Sequence, residues 1–130
     1  MGYLVKAAKD IKRFLIEQQY RSNQRDANCW LFGEWFGKKC NDNSFFLANY
    51  IARNHPQIKL YWIACEDTDT SKLHQSIRIL KYDSEEAFDA FKQVGVVIMN
   101  QGFIDFSSQG FNFFRGAMTV NLWLGVAWKK

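Results

Sequence analysis

Val94-Gly95-Val96-Val97-Ile98-Met99 is an unbroken run of apolar residues, mostly β-branched, with no polar alternation. A strand with one face in water alternates apolar and polar side chains. A continuous run of this length reads instead as a strand covered on both faces, as in a parallel sheet. Just before it, Asp83 or Ser84 caps a helix carrying Glu85, Glu86, Ala87, Phe88 and Phe91, with the acids at the end where the helix dipole favours them. Farther toward the N-terminus the same alternation repeats. Strands are expected at Cys29–Phe32, Ile58–Cys65 and Ile77–Lys81, with a helix over Ser44–Asn54 that Asp42 or Asn43 caps and His55-Pro56 stops. A short helix is expected near 71–76. Beyond the deciding run, Asn100–Arg115 reads as a loop with Gly102, Gly110 and several phenylalanines, and Ala117–Trp123 as a fifth strand. Short apolar strands alternating with amphipathic helices predict an α/β domain, a mostly parallel sheet with helices on both faces.

The chain has 130 residues, 48% of them apolar and 23% charged, enough for one core and too few for two full domains. No apolar run is long enough to cross a bilayer, and the N-terminus shows no secretory pattern. Residues 1–25 hold six basic residues against two acidic ones, which accounts for the whole net charge of +4. Within them Tyr3, Leu4, Ala7, Ala8, Ile11, Phe14 and Leu15 form one helical stripe, with Lys6, Lys9, Lys12 and Arg13 on the other faces. The organisation expected is a basic amphipathic helix and linker over 1–25, then a domain over 26–130. The helix either packs on the domain or lies on a membrane interface, where the four basic residues contact anionic lipid. Three cysteines without a C-x-x-C and two histidines in polar surroundings predict reduced thiols, no disulfide framework and no metal site. The aromatic residues fall mostly in core patterns, so no nucleic-acid partner is expected.

No phosphate-cradling glycine loop and no recognisable nucleophile triad is present. In a parallel sheet, ligands bind beyond the carboxyl ends of the strands. Candidates there are Glu34, directly after a strand; Asp42 and Asn43, which open a helix and also suit capping; and Asn100-Gln101-Gly102, after the most buried strand. Asp105 and Ser107-Ser108 extend that group, and Trp123-Leu124-Gly125 closes the chain's last strand.

Trp30-Leu31-Phe32-Gly33-Glu34, Gly37-Lys38-Lys39, Asp42-Asn43-Ser44, Asn54-His55-Pro56-Gln57-Ile58, Ile98-Met99-Asn100-Gln101-Gly102 and Val120-Asn121-Leu122-Trp123 together resemble the N-terminal region of the CDP-glycerol glycerophosphotransferases. These enzymes build teichoic acids and related capsule polymers. The resemblance implies a Rossmann-like acceptor-side domain, the N-terminal half of a glycosyltransferase-B-type fold. The donor, CDP-glycerol, is held by a C-terminal domain that this sequence is expected to lack, and no cofactor is implied in the chain itself. It also implies a lipid-linked or polymer acceptor and a cytoplasmic, peripheral position at the inner face of a bacterial membrane. Glu34, Asp42, Asn43, Asn100, Gln101 and Gly125 are expected to line the acceptor cleft. Where the family carries a histidine base in a Trp-His-Gly motif, this sequence has Leu124, which cannot accept a proton. The chain alone is therefore expected to be inactive. Two other readings stay open: a non-catalytic α/β module binding a partner or an anionic membrane, and a fragment of a related transferase using another nucleotide donor.

Overall fold

A computed structural model describes residues 2–122. An N-terminal helix, α1 (Gly2–Gln19), precedes β1 (Asp26–Phe32), α2 (Asn43–Asn54), β2 (Lys59–Ala64), β3 (Arg78–Lys81), α3 (Glu85–Phe91), β4 (Val94–Met99) and β5 (Met118–Asn121). The five strands form one sheet in the order β3-β2-β1-β4-β5, and every neighbouring pair is parallel.

Adjacent residues of each inner strand point to opposite faces, so both faces of the sheet carry a core. On one side Phe32, Leu60, Trp62 and Ile98 meet Phe45, Ala48, Ile51 and Ala52 of α2. On the other, Leu31, Tyr61, Ile63 and Val97 meet Ala87 and Phe91 of α3. The segment expected to be a phenylalanine-bearing loop completes this second core. Phe106, Phe113 and Phe114 are buried, and the Phe114 ring lies 4.8 Å from that of Phe91.

β1 starts at Asp26, earlier than the apolar pattern indicates, because its first pairing is made by backbone alone. The Asp26 N–H donates to the Gln93 carbonyl at 2.9 Å. A bulge follows between Asp26 and Trp30, where β1 runs so close to β4 that a Cβ on Gly95 would sit 2.3 Å from the Asp26 carbonyl oxygen. Only glycine fits this approach. The helix expected near 71–76 is absent, and two turns stand in its place. Asn49 of α2 reaches across, donating to the Lys72 carbonyl at 3.0 Å and accepting from the His74 N–H at 2.8 Å. A side chain thus satisfies backbone groups that a helix would have paired. Apolar runs around Cys29 and Cys65 suggest core positions for both; Cys29 is buried, whereas Cys65 lies just past β2 and is half-buried.

The segment read as a linker holds a structural centre. Arg25 donates to the carbonyls of Tyr20 (2.7 Å), Phe91 (2.6 Å), Val94 (2.9 Å), Phe113 (3.4 Å) and Arg115 (3.0 Å). Glu17, 4% exposed, accepts from Arg13 (2.9 Å), from Arg115 (2.6 Å) and from the Asn112 N–H (2.8 Å). Arg25 is therefore engaged inside the fold, while Arg13 reaches Glu17 from an exposed position on α1.

Among the described residues, the apolar contact of α1 with the domain is made by Ile16 and the following Tyr20, with Arg13 over the Phe111 ring. Tyr3, Leu4, Ile11, Phe14 and Leu15 are each more than half exposed. At about 100° per residue, that stripe lies roughly opposite Ile16 and Tyr20 and so faces away from the domain. Among the described residues no helix is long and apolar enough to cross a membrane.

Candidate functional site

The sheet order reverses at β1. The chain adds β2 and β3 on one side of it and β4 and β5 on the other. The loops leaving β1 and β4 flank this reversal, the switch-point crevice where open α/β sheets bind ligands.

Glu34 follows β1 and is fully buried. A carboxylate in that position is costly unless its oxygens are bonded. Its Oε1 accepts from the N–H groups of Asn41 (2.9 Å) and Asp42 (3.0 Å), and its Oε2 from those of Asp42 (2.9 Å) and Phe45 (2.8 Å). These bonds fold the loop back on itself and satisfy an otherwise free donor in the first turn of α2. Burial pushes the Glu34 carboxyl up, and the backbone donors oppose that only in part. Asp42 caps α2 by accepting from the Asn43 N–H at 2.8 Å, and its other oxygen accepts from the Trp35 indole at 3.2 Å.

Inside this loop Trp35, Phe36 and Gly37 are all left-handed, with φ of 47°, 59° and 79°. Non-glycine residues in this region carry strain of about 1–3 kcal/mol each and persist only where their surroundings fix them. Here the Phe36 N–H donates to Asp105 Oδ1 at 3.2 Å. The Gly37 carbonyl accepts from the Cys65 N–H at 2.8 Å and from Thr68 Oγ1 at 2.7 Å. A Cβ on Gly37 would lie 2.7 Å from the Tyr82 ring, so the loop is locked from three sides.

Asp105 is the second buried carboxylate. Its Oδ2 accepts from the N–H groups of Asn100 (2.8 Å) and Gln101 (2.7 Å), while Oδ1 holds Phe36, joining the two walls of the crevice. Burial pushes its carboxyl up against those bonds. Asn100, also fully buried, accepts from Ser44 Oγ at 2.6 Å and so ties β4 to α2. Among the described residues, Asn100 Nδ2 and Gln101 Nε2 are buried donors with no hydrogen-bond partner. Buried donors are normally paired, so two of them on consecutive residues at the switch point fit ligand oxygens, from hydroxyl or phosphate.

The structure thus brings Glu34, Asp42, Asn43, Asn100 and Gln101 together around the reversal. Leu124 and Gly125 lie outside the described residues. Lys6, Lys9, Lys12 and Arg13 are on α1, apart from this group: Lys6 pairs with Asp10, and Arg13 sits over the Phe111 ring. Sequence reasoning missed Ser44 as the partner of Asn100 and Phe36 as the link to Asp105, since neither contact is local. Ser107 and Ser108 turn away to brace their own turn and to meet Asp83. Among the described residues no group of His, Cys, Asp or Glu side chains is arranged to hold a metal ion.

The family model of the CDP-Glycerol:Poly(glycerophosphate) glycerophosphotransferases matches this chain over residues 15–130. The chain belongs to this family. Comparison with curated proteins and with solved structures gave no match. The glycerophosphotransferase match covers the whole sheet and the crevice, and it begins inside α1, so most of the exposed stripe precedes it.

Proposed function

We propose that this chain forms the acceptor side of a transferase of glycosyltransferase-B type that moves glycerol phosphate from CDP-glycerol to a teichoic-acid-like or capsule polymer. The family match is the observation that carries the reading. In the reaction, an acceptor hydroxyl oxygen bonds to the donor's β-phosphorus, the bond from that phosphorus to the bridging oxygen breaks, and CMP leaves. The hydroxyl proton passes to a base. Leu124 cannot be that base, and the two crevice carboxylates Glu34 and Asp105 are engaged with backbone donors. The described residues accordingly bind and orient the acceptor, with Asn100 and Gln101 donating to its oxygens. Glu34, Asp42 and Asn43 shape the wall against which it rests. Neither the donor's binding groups nor the base is found among the described residues, and with Leu124 at the position of the family's base the chain is expected to bind the acceptor without transfer.

The exposed stripe of α1 supports a second part of the proposal, a peripheral seat on the anionic inner face of a bacterial membrane. Apolar side chains enter the interface, and Lys6 and Lys12, on the flanks of the stripe, lie nearest the headgroups.

Isothermal titration of the chain with a synthetic glycerophosphate oligomer, alongside a CMP-release assay with CDP-glycerol, tests the reading. Binding of the oligomer without CMP release is expected. CMP release by the chain alone, or no oligomer binding, overturns the acceptor-side assignment.

A further inference from the structure

A second feature of the carboxyl edge lies beside the crevice, between the β1–α2 loop and the loop after β2. It is a hollow of about 220 Å³ whose lining includes Lys38, Lys39 and Lys72 together with Cys40, Asn41, Thr68 and Asp69. Pockets for drug-sized ligands run to roughly 300–1,000 Å³, so this one suits a single small charged unit rather than a nucleotide.

Its walls are fixed by the bonds that fix the crevice. Asn41 is held through its N–H by Glu34, and Thr68 by its bond to the Gly37 carbonyl. Asn49, 8% exposed, holds the backbone on both sides of Leu73, directly after Lys72. The Lys39 ammonium lies 4.6 Å from the Trp35 ring centre, which limits where it swings. Three lysines and one aspartate are among its lining residues, a sum of +2. Asp69 remains ionised, because bonds from the Ser71 hydroxyl and N–H hold its carboxyl below the usual range. Cys40 adds no charge: burial first, then Glu34 and Asp69, push its thiol up to about 12.

This mixture is unusual for a site that takes a bare anion. The lysines offer donors and charge to phosphate oxygens, while Asp69 offers an acceptor that repels phosphate and welcomes a hydroxyl. We infer that the Lys38–Lys39–Lys72 hollow binds a phosphodiester unit that carries a neighbouring hydroxyl, one repeat of the acceptor polymer, and so leads the chain along the sheet edge toward the crevice. The inference rests on the acceptor-side reading above and adds to it a second contact point.

The test uses the chain with a glycerophosphate oligomer and, separately, inorganic phosphate, in Lys72→Gln, Lys38→Gln with Lys39→Gln, and, as a control for surface charge, Arg53→Gln on the exposed end of α2. Each pocket variant is expected to weaken oligomer binding about three- to tenfold, with the loss shrinking at high salt, and Arg53→Gln to leave it unchanged. All the substituted side chains are exposed, so unchanged melting temperatures are expected and a folding defect is separable. Oligomer binding that is equal in wild type and pocket variants overturns the hollow while leaving the acceptor-side reading intact. No oligomer binding by wild type overturns both. Lysine-dependent uptake of inorganic phosphate without the oligomer overturns the polymer assignment.

Discussion

Removing the Glu34 carboxylate tests how the crevice is held. In Glu34→Gln one oxygen survives. Placed at the Oε2 position it keeps the Asp42 and Phe45 N–H bonds and leaves only the Asn41 N–H, on an exposed residue, against the new amide nitrogen. The opposite placement would orphan the buried Phe45 N–H, which is costlier. One lost bond costs about 1–3 kcal/mol, and the two survivors weaken from charge-assisted to neutral, losing roughly half their strength. Relief from burying a carboxylate, visible in its raised pKa, offsets part of this. The net expectation is about 2 kcal/mol for Gln and about 4–6 kcal/mol for Glu34→Ala, which frees all three donors and leaves a cavity. A domain of this size holds about 5–15 kcal/mol in total, so the Ala variant is close to unfolding. Urea midpoints at constant slope give the free energies, and amide hydrogen exchange locates them. Exchange should accelerate at Asn41 first in the Gln variant, and at Asn41, Asp42 and Phe45 in the Ala variant. A Glu34→Ala midpoint within about 0.5 kcal/mol of wild type, with those three amides still protected, would refute the bracing role.

Glu17 sets a pH dependence. Burial pushes its carboxyl up, but hydrogen bonds from Arg13, the Asn112 N–H and Arg115 outweigh it and leave the folded value below the ordinary 4.5. Its contribution is therefore fully present above pH 4.5 and lost as pH falls through the lower folded value, and Glu17→Gln should flatten the acid limb of a stability-versus-pH curve. Gly37→Ala meets both a φ of +79° and the Tyr82 ring, and thermal unfolding should show a loss of about 1–3 kcal/mol. Deleting residues 2–12 removes most of the exposed stripe and keeps Arg13, Glu17 and Arg25, so co-sedimentation with anionic vesicles should fall sharply while the melting temperature holds. A truncated chain that sediments as before would overturn the membrane role of α1.

The strands were readable because each central one is an unbroken apolar run, and β4 occupies the residues its pattern indicates. The helix expected at 71–76 failed because Asn49, more than twenty residues away, captured the backbone. Arg25 looked like any basic residue in a polar linker; that five carbonyls converge on it follows only once α1, α3 and β4 are assembled. Strand-end position marked Glu34, Asn100 and Gln101 for the crevice, and the structure gathers them there. What the sequence could not disclose is that Glu34 faces inward to amides while the two side-chain amides remain unpaired, since both depend on loop path.

Arg25 sits where α1 meets the amino end of β1, and the crevice lies at the carboxyl end of the same strand. Seven extended residues, about 20 Å, separate them. Load applied to α1 enters the domain at the Arg25 carbonyl knot and is shared there among α3, β4 and the Phe113–Arg115 segment. The strained Trp35–Gly37 loop stands at the far end of the lever, so a tug on the tether reaches it only through a stiff, doubly paired strand. If α1 rests on a membrane as proposed, an acceptor held in that membrane would have to span the height of one strand to reach the crevice.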